Sequence, residues 1–412
     1  MNPDKIEKIF WCLIIAWFIL RTCLLGCQYF GNTDPIFRQE VLKYFSEDDI
    51  QTGRAYALSG FWFKAFYGAF YVIILVLMLR FGFFSALWNK LGVWVGDKYR
   101  IREYLFPFCF LLILQLLSFP SSLYFGYLRE SAAGFSNINL YGWLWLYFKS
   151  ASLNIFLQGA FLISIVEIIR YFPNKWPMAL PLICALIVAL SILLMPALIT
   201  PIFYNETTLE PGELREKIFA ILDKANMDVK EIYVVDESRY SKHTNAYFTG
   251  FGSFKRIVLY DNLIKSHTAD EAALIFAHEA GHWKHNHMAW GLFCGLIGAF
   301  LASYFAYWIF DYLVPVKWFG LSQIDSTAIV PFFMISYIVL QLFFAPIESQ
   351  ISQYMETQAD KTSIELTGLK DVFQKAEVRL AKDNKSDLLP HPFRVFWLYS
   401  HPIAIDRIHL AK

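Results

Sequence analysis

The stretch FAHEAGHWKHNH, residues 276–287, sets four histidines, a glutamate and a lysine directly before a long apolar run. Within it, His278, Glu279 and His282 form a His-Glu-x-x-His pattern. On a helix, residues four apart share a face, so both imidazoles can reach a single ion. Glu279 follows the first histidine and can take a proton from a water that zinc acidifies from 15.7 toward about 7. A helix is what the surrounding residues predict. Thr268 and Glu271 make a capping box, and the pattern runs on through EAALIFAHEAGHWKHNH. A solvated polar collar at a membrane edge is the competing reading of the same residues.

The composition places that stretch in a membrane protein. The 412-residue chain is 57% hydrophobic and 17% charged, against roughly 45–50% and about 25% in soluble domains. Seven apolar runs are long enough to span a bilayer, at roughly 9–30, 61–85, 104–127, 150–172, 178–203, 288–314 and 328–348. The first lacks the small-residue cleavage site of a signal peptide and reads as a retained helix. Arg21 and Arg80 lie toward span ends, where they can snorkel. Glu167 and Arg170 are one helical spacing apart and can pair. Pro181 and Pro196 are expected to bend the fifth span.

Net charge is +1, and no basic tract is interleaved with aromatics, which argues against a nucleic-acid partner. The six cysteines all sit in apolar stretches without a Cys-x-x-Cys pair, so neither a thiolate zinc site nor a disulfide framework is expected. Asn205-Glu206-Thr207 fits a glycosylation sequon.

Two polar regions interrupt the apolar runs, giving four segments: 1–203 with spans one to five, 204–287, 288–348 with spans six and seven, and 349–412. Two crossings return the chain to the side it left, so the loop and the tail can meet. The basic loop at 89–104 prefers the cytoplasm, but long domains count little in that rule, and charge bias leaves the orientation open. Inside the loop, residues 212–227 predict a helix, and 231–236, 245–252 and 255–264 predict strands, with a hairpin through Gly252, Ser253 and Phe254.

A zinc hydrolase needs a third protein ligand and an open fourth position. His285 is the nearest candidate, but with His287 it reads better as a polar collar before the sixth span. The tail offers YMETQADKTS, where Glu356 and Asp360 lie four apart. Glu356 can ligate while Asp360 orients a ligating histidine through its second nitrogen. An ordinary acidic helix face has the same spacing. Farther on, WLYSHPIAIDR carries His401 and Arg407, either of which can stabilise a developing oxyanion. An interfacial histidine and a surface arginine are the plainer reading.

Taken together, NAYFTGFGSFKRIVLYDNLI, HEAGHWKHNH, ETQAD and YSHPIAIDR resemble the CAAX prenyl protease 1 family, integral-membrane zinc endopeptidases of the gluzincin group. The resemblance implies an α-helical polytopic membrane protein, with about seven transmembrane helices around an intramembrane chamber and a small α/β gluzincin-type zinc metalloprotease domain. It implies one Zn2+ held by His278, His282 and Glu356, with Glu279 as general base. Asp360 would stand behind the ligands, His401 would line the active site and Arg407 would lie close behind it. Asn245 and Ala246 match an edge strand that binds substrate backbone by strand addition. The implied partners are membrane lipid and a peptide or protein substrate, prenylated or not, because family members remove the last three residues of prenylated CAAX proteins. The implied location is the endoplasmic reticulum membrane in a eukaryote or the inner membrane in a bacterium. Two other functions compete: a heat-shock-type membrane protease of quality control, which has about four spans, and a transporter or channel with a regulatory polar loop. A transporter places ionisable groups along a mid-membrane pathway, whereas here most charges lie near span ends.

Overall fold

The computed structural model describes residues 2–96, 98–229, 231–249 and 256–412. Seven of its helices are long and apolar enough to cross a membrane. Five come first: α1 (Pro3–Phe30), α2 (Phe61–Arg80), α3 (Tyr99–Leu123), α4 (Leu140–Tyr171) and α5 (Trp176–Leu198). A polar segment follows, with β1 (Glu206–Thr208), α6 (Glu213–Lys224), β2 (Ile232–Val235), β3 (Ala246–Thr249), β4 (Arg256–Tyr260) and α7 (Ala269–Lys284). The chain then crosses twice more in α8 (His287–Leu313) and α9 (Val330–Thr367). It ends in α10 (Lys370–Asp383), α11 (Pro392–Leu398) and α12 (Ala404–His409).

The spans bury little of themselves: only 6–33% of each most apolar window is covered by the rest of the protein. Helices packed into a solid bundle would bury far more. In α4, Asn154 and Gln158 lie one turn apart, both exposed, midway along the apolar run. An amide at that depth needs water rather than lipid. The spans therefore leave most of their surface, polar amides included, uncovered by the rest of the protein. A tight apolar cluster ties the spans together, with Leu75, Phe106, Phe110, Phe319 and Ile335 at 1% exposure or less.

Charges at the span ends are paired. Arg170 bonds Glu167, as their spacing predicts, and also Glu103 at 2.7 Å, while Arg100 reaches Glu167 at 2.7 Å. Arg21 does not snorkel. It donates to the carbonyls of Lys64 and Ala65 on α2, at 2.6 and 3.0 Å, over Gly68, which leaves room for the guanidinium.

The polar segment folds as a four-stranded sheet in the order β1-β2-β4-β3. The β2–β4 pair is parallel and the other two are antiparallel. Strand β1 is too short to show alternation in the sequence. The third predicted strand ends at Tyr260, because Asp261–Ser266 turns into a helix. The predicted hairpin residues Gly252, Ser253 and Phe254 lie outside the described residues. Ile232, Leu259, Phe276, Ala277 and Ala280 form the core between sheet and α7. The apolar face of α7 thus points into this core and leaves its histidines to another neighbour.

That neighbour is α9. The helix runs unbroken from Val330 to Thr367, so position 348/349, expected as the border between the last span and the tail, lies in mid-helix. Glu356 and Asp360 are carried on the same rigid rod that crosses the membrane. The capping box that starts α7 has both of its bonds, Glu271 N–H to Thr268 Oγ1 at 3.2 Å and Thr268 N–H to Glu271 Oε2 at 2.9 Å. Arg379 of α10 binds the same Glu271 at 2.8 Å. The two helices touch backbone to backbone: a Cβ added to Gly281 would lie 2.8 Å from Ala359 Cα and 2.9 Å from its carbonyl oxygen. Gly281→Ala must push α7 off α9 and is expected to cost about 1–3 kcal/mol. Gly295→Ala, where nothing lies within 4 Å, should leave stability unchanged or slightly raised. Thermal unfolding of the two variants in detergent, followed by circular dichroism, checks the difference.

Candidate metal centre and active-site cleft

Three donors converge where α7 crosses α9. One ligand atom each from His278, His282 and Glu356 lies within 4.8 Å of the other two. His278 Nε2 stands 3.1 Å from His282 Nε2 and 3.1 Å from Glu356 Oε2, and His282 Nε2 stands 3.4 Å from Glu356 Oε1. Two nitrogens and a carboxylate aimed at one point have no good reason to meet unless something sits between them. Glu356 is 8% exposed, and its Oε2 atom is buried without a hydrogen-bond donor. A buried carboxylate oxygen in that state is costly. A divalent cation satisfies it and separates the two imidazoles at the same time, so the residues fit a metal.

The outer partner of His278 is equally defined. Its Nδ1 lies 2.7 Å from Asp360 Oδ1. Asp360 is fully buried and held in a fork by Arg407, through Nε at 2.8 Å and Nη2 at 2.7 Å. With its Nδ1–H given to a carboxylate, His278 keeps a lone pair on Nε2 for the metal. Arg407 also reaches Glu377 of α10 at 2.8 Å. One guanidinium faces two buried carboxylates and fully compensates only one. Burial, with Asp360 nearby, accordingly raises the Glu377 carboxyl above the usual range against the pull of Arg407.

Glu279 lies one residue on from His278 and is half-buried. Burial raises its carboxyl above the usual range, and the imidazoles of His278 and His282 oppose that rise. A carboxylate raised in this way is a stronger base. His401 enters from the other side: its Nε2 lies 3.4 Å from Glu356 Oε2, and its Nδ1 lies 2.8 Å from Ser400 Oγ. A cleft of about 630 Å³ opens beside the donors, lined by Asn245, His278, Glu377, His401 and Arg407 among others. Strand β3 is one of the two edge strands of the sheet among the described residues and begins at Ala246. Asn245 fixes that start, its carbonyl accepting from Tyr260 N–H and its Oδ1 from Ala246 N–H, both at 2.9 Å.

His278, His282, Glu356, Asp360, His401, Arg407 and Asn245 therefore fall in one region, though not always as expected. Arg407 is fully engaged by two carboxylates, so it stands behind His278 and is not free to meet an oxyanion. The collar reading of His285 and His287 is wrong. His285 Nε2 bonds Thr362 Oγ1 of α9 at 2.8 Å. His287 is 7% exposed and lies 2.8 Å from His282, Nδ1 to Nδ1. Both turn inward because α9 offers polar groups that the sequence alone does not place beside them. Glu377 and Gln358 were also missed. Gln358 sits inside ETQAD, between the two acidic residues that drew notice, and Glu377 occupies an ordinary amphipathic helix. Trp283 packs on Phe248 of β3, ring centroids 5.8 Å apart.

Comparison with known proteins agrees with this architecture. The family model for CAAX prenyl protease N-terminal, five membrane helices, matches residues 27–205, and that for peptidase family M48 matches residues 208–412. CAAX prenyl protease 1 homolog of Arabidopsis thaliana is 28% identical, over 96% of this chain and 95% of that protein. CAAX prenyl protease 1 of Saccharomyces cerevisiae is 26% identical, over 96% and 92%. The fold is similar to the crystal structure of S. mikatae Ste24p, with a TM-score of 0.81 and 24% identity over 97% of this chain and 98% of that one. Between them, the two family models cover the first five spans and then the polar segment, the last two spans and the tail, and the chain belongs to the multi-pass membrane metallopeptidases of family M48.

Proposed function

We propose that the protein is a membrane-embedded zinc endopeptidase that cuts peptide bonds near the C-terminus of prenylated CAAX-type substrates. The observation that carries this is the convergence of one ligand atom each from His278, His282 and Glu356, all within 4.8 Å of one another. Those three residues hold the zinc. Two imidazoles and one carboxylate with an open position make a catalytic donor set. When bound, zinc lowers the pKa of a coordinated water toward about 7 and polarises a carbonyl. Glu279 accepts the proton from the attacking water and passes it to the leaving amine. Asp360, clamped by Arg407, fixes the ring of His278. His401, on the cleft beside Glu356, donates to the oxyanion that develops on the scissile carbonyl. The substrate backbone lies along β3 from Asn245 and Ala246, adding a strand to the sheet.

The substrate class is supported by the names of the relatives just given, which match over nearly the whole of both chains. Seven spans also favour it over a heat-shock-type quality-control protease, which has about four. Exposed apolar spans beside a polar cleft suit a substrate that carries both a lipid and a peptide. The host membrane is that of the endoplasmic reticulum in a eukaryote and the inner membrane in a bacterium.

Mass spectrometry of the products from a farnesylated CAAX peptide, its unprenylated twin and an unfolded membrane protein tests the assignment. Loss of the last three residues from the farnesylated peptide, and slow or no cutting of the other two, is expected. Preferred cutting of the unfolded protein would assign the enzyme to quality control.

Glu279→Gln should lower kcat by about 100- to 10,000-fold while leaving one zinc per chain by metal analysis. Normal turnover would remove Glu279 from the base role. Glu356→Ala should strip the metal at chelator concentrations that the parent survives, whereas His285→Ala should hold it. The opposite ranking in the same titration would make His285 the third ligand.

A further inference from the structure

His278 and His282 have different outer partners. Behind His278 stands a carboxylate. Behind His282 stands another imidazole: its Nδ1 lies 2.8 Å from Nδ1 of His287. Two ring nitrogens that close share one proton, one as N–H and the other as lone pair. The far side of His287 decides which. Its Nε2 lies 3.0 Å from Gln358 Oε1, and a carbonyl oxygen only accepts. His287 therefore donates through Nε2 and presents the lone pair of Nδ1 to His282. His282 donates through Nδ1, and its Nε2 is left as a lone pair facing the donor set, 3.1 Å from His278 Nε2.

The backbone is built to make this contact. His287 is five residues after His282, which on a continuing helix would put it roughly 140° away round the axis. The helix does not continue. It ends at Lys284, and Asn286 takes φ 55°, in the left-handed region. That reversal swings the first residue of α8 back under His282. Burial of His287 to 7% exposure excludes water as the competing partner.

We propose that His287, oriented by Gln358, is a positioning residue that fixes His282 in the tautomer and ring orientation needed to bind the metal. This rests on the ligand set proposed above. Backed by an imidazole where His278 is backed by a carboxylate, His282 is the weaker donor of the two.

The test uses the full chain in detergent, with zinc affinity measured by competition against a chromophoric chelator and the visible spectrum of the Co2+-substituted protein. His287→Phe should weaken zinc binding by about 10- to 100-fold and change the cobalt bands. His287→Asn, which can both accept and donate, should recover most of the affinity. Gln358 reports the same relay from its half-exposed end, so it serves if His287→Phe does not fold. Gln358→Met should weaken zinc binding and shift the cobalt bands, and Gln358→Glu, which still accepts, should keep the affinity. Parent-like affinity and bands in His287→Phe or Gln358→Met would overturn the proposal while His278→Ala and Glu356→Ala still lose zinc. Retention of zinc by those two would instead remove the ligand set beneath it.

Discussion

The fully buried carboxylate of Asp360 is the constraint around which the site is arranged. It comes from α9, accepts from His278 of α7, and is matched by Arg407 from α12, the last helix of the chain. Three elements far apart in sequence meet on its two oxygens, with one bond from His278 and two from Arg407. A charge at zero exposure is tolerable only when it is paired and hydrogen-bonded in this way. Removal of any partner leaves a charge that the interior cannot solvate. The same geometry that fixes the histidine thus locks the tail of the chain against its penultimate long helix, and metal binding and closure of the fold depend on one group.

That meeting is possible because two helices approach more closely than side chains normally allow. Gly281, the second variable position of His-Glu-x-x-His, sits against the Ala359 backbone. With no Cβ on one side and only a methyl on the other, α7 lies directly on α9. The reach of an imidazole then suffices to bring Nε2 of His278 to 3.1 Å from Glu356. The small residues inside the motif are therefore part of the coordination geometry, although neither touches the ligand.

Much of this was legible in the sequence, and the boundary between legible and hidden has a physical cause. Local signals survived: the capping box at Thr268 and Glu271, the apolar periodicity of α7, and seven runs long enough to span. Return of the tail to the side of the loop followed from counting crossings. What failed needed a partner from elsewhere. His285 and His287 looked solvated because their acceptors, Thr362 and Gln358, lie more than seventy residues away on another helix. Arg21 looked like a snorkelling cation because the carbonyls it binds belong to α2. Strand β1, three residues long, carries no periodicity to read and exists only because β2 offers it an edge. Continuity of α9 was hidden for a different reason: hydropathy falls at the membrane surface, whereas helical backbone bonding does not.

That continuity has a consequence for where chemistry occurs. Twenty-six residues separate Val330 from Glu356 on one helix, which at 1.5 Å each is about 39 Å. The hydrocarbon core is about 30 Å thick. With the start of α9 at one face of the core, its metal-binding carboxylate stands roughly 9 Å beyond the other. The peptide bond to be cut is then met in a polar setting, where a charged carboxylate and an ionised Asp360 need not be carried into lipid. A lipid tail attached to the peptide nearby stays within reach of the apolar spans. Because α9 stays helical through Pro346, Glu356 is joined to the span without an intervening loop. A peptide that pairs with the edge strand starting at Ala246, whose N–H is held by the side chain of Asn245, brings its backbone to that level.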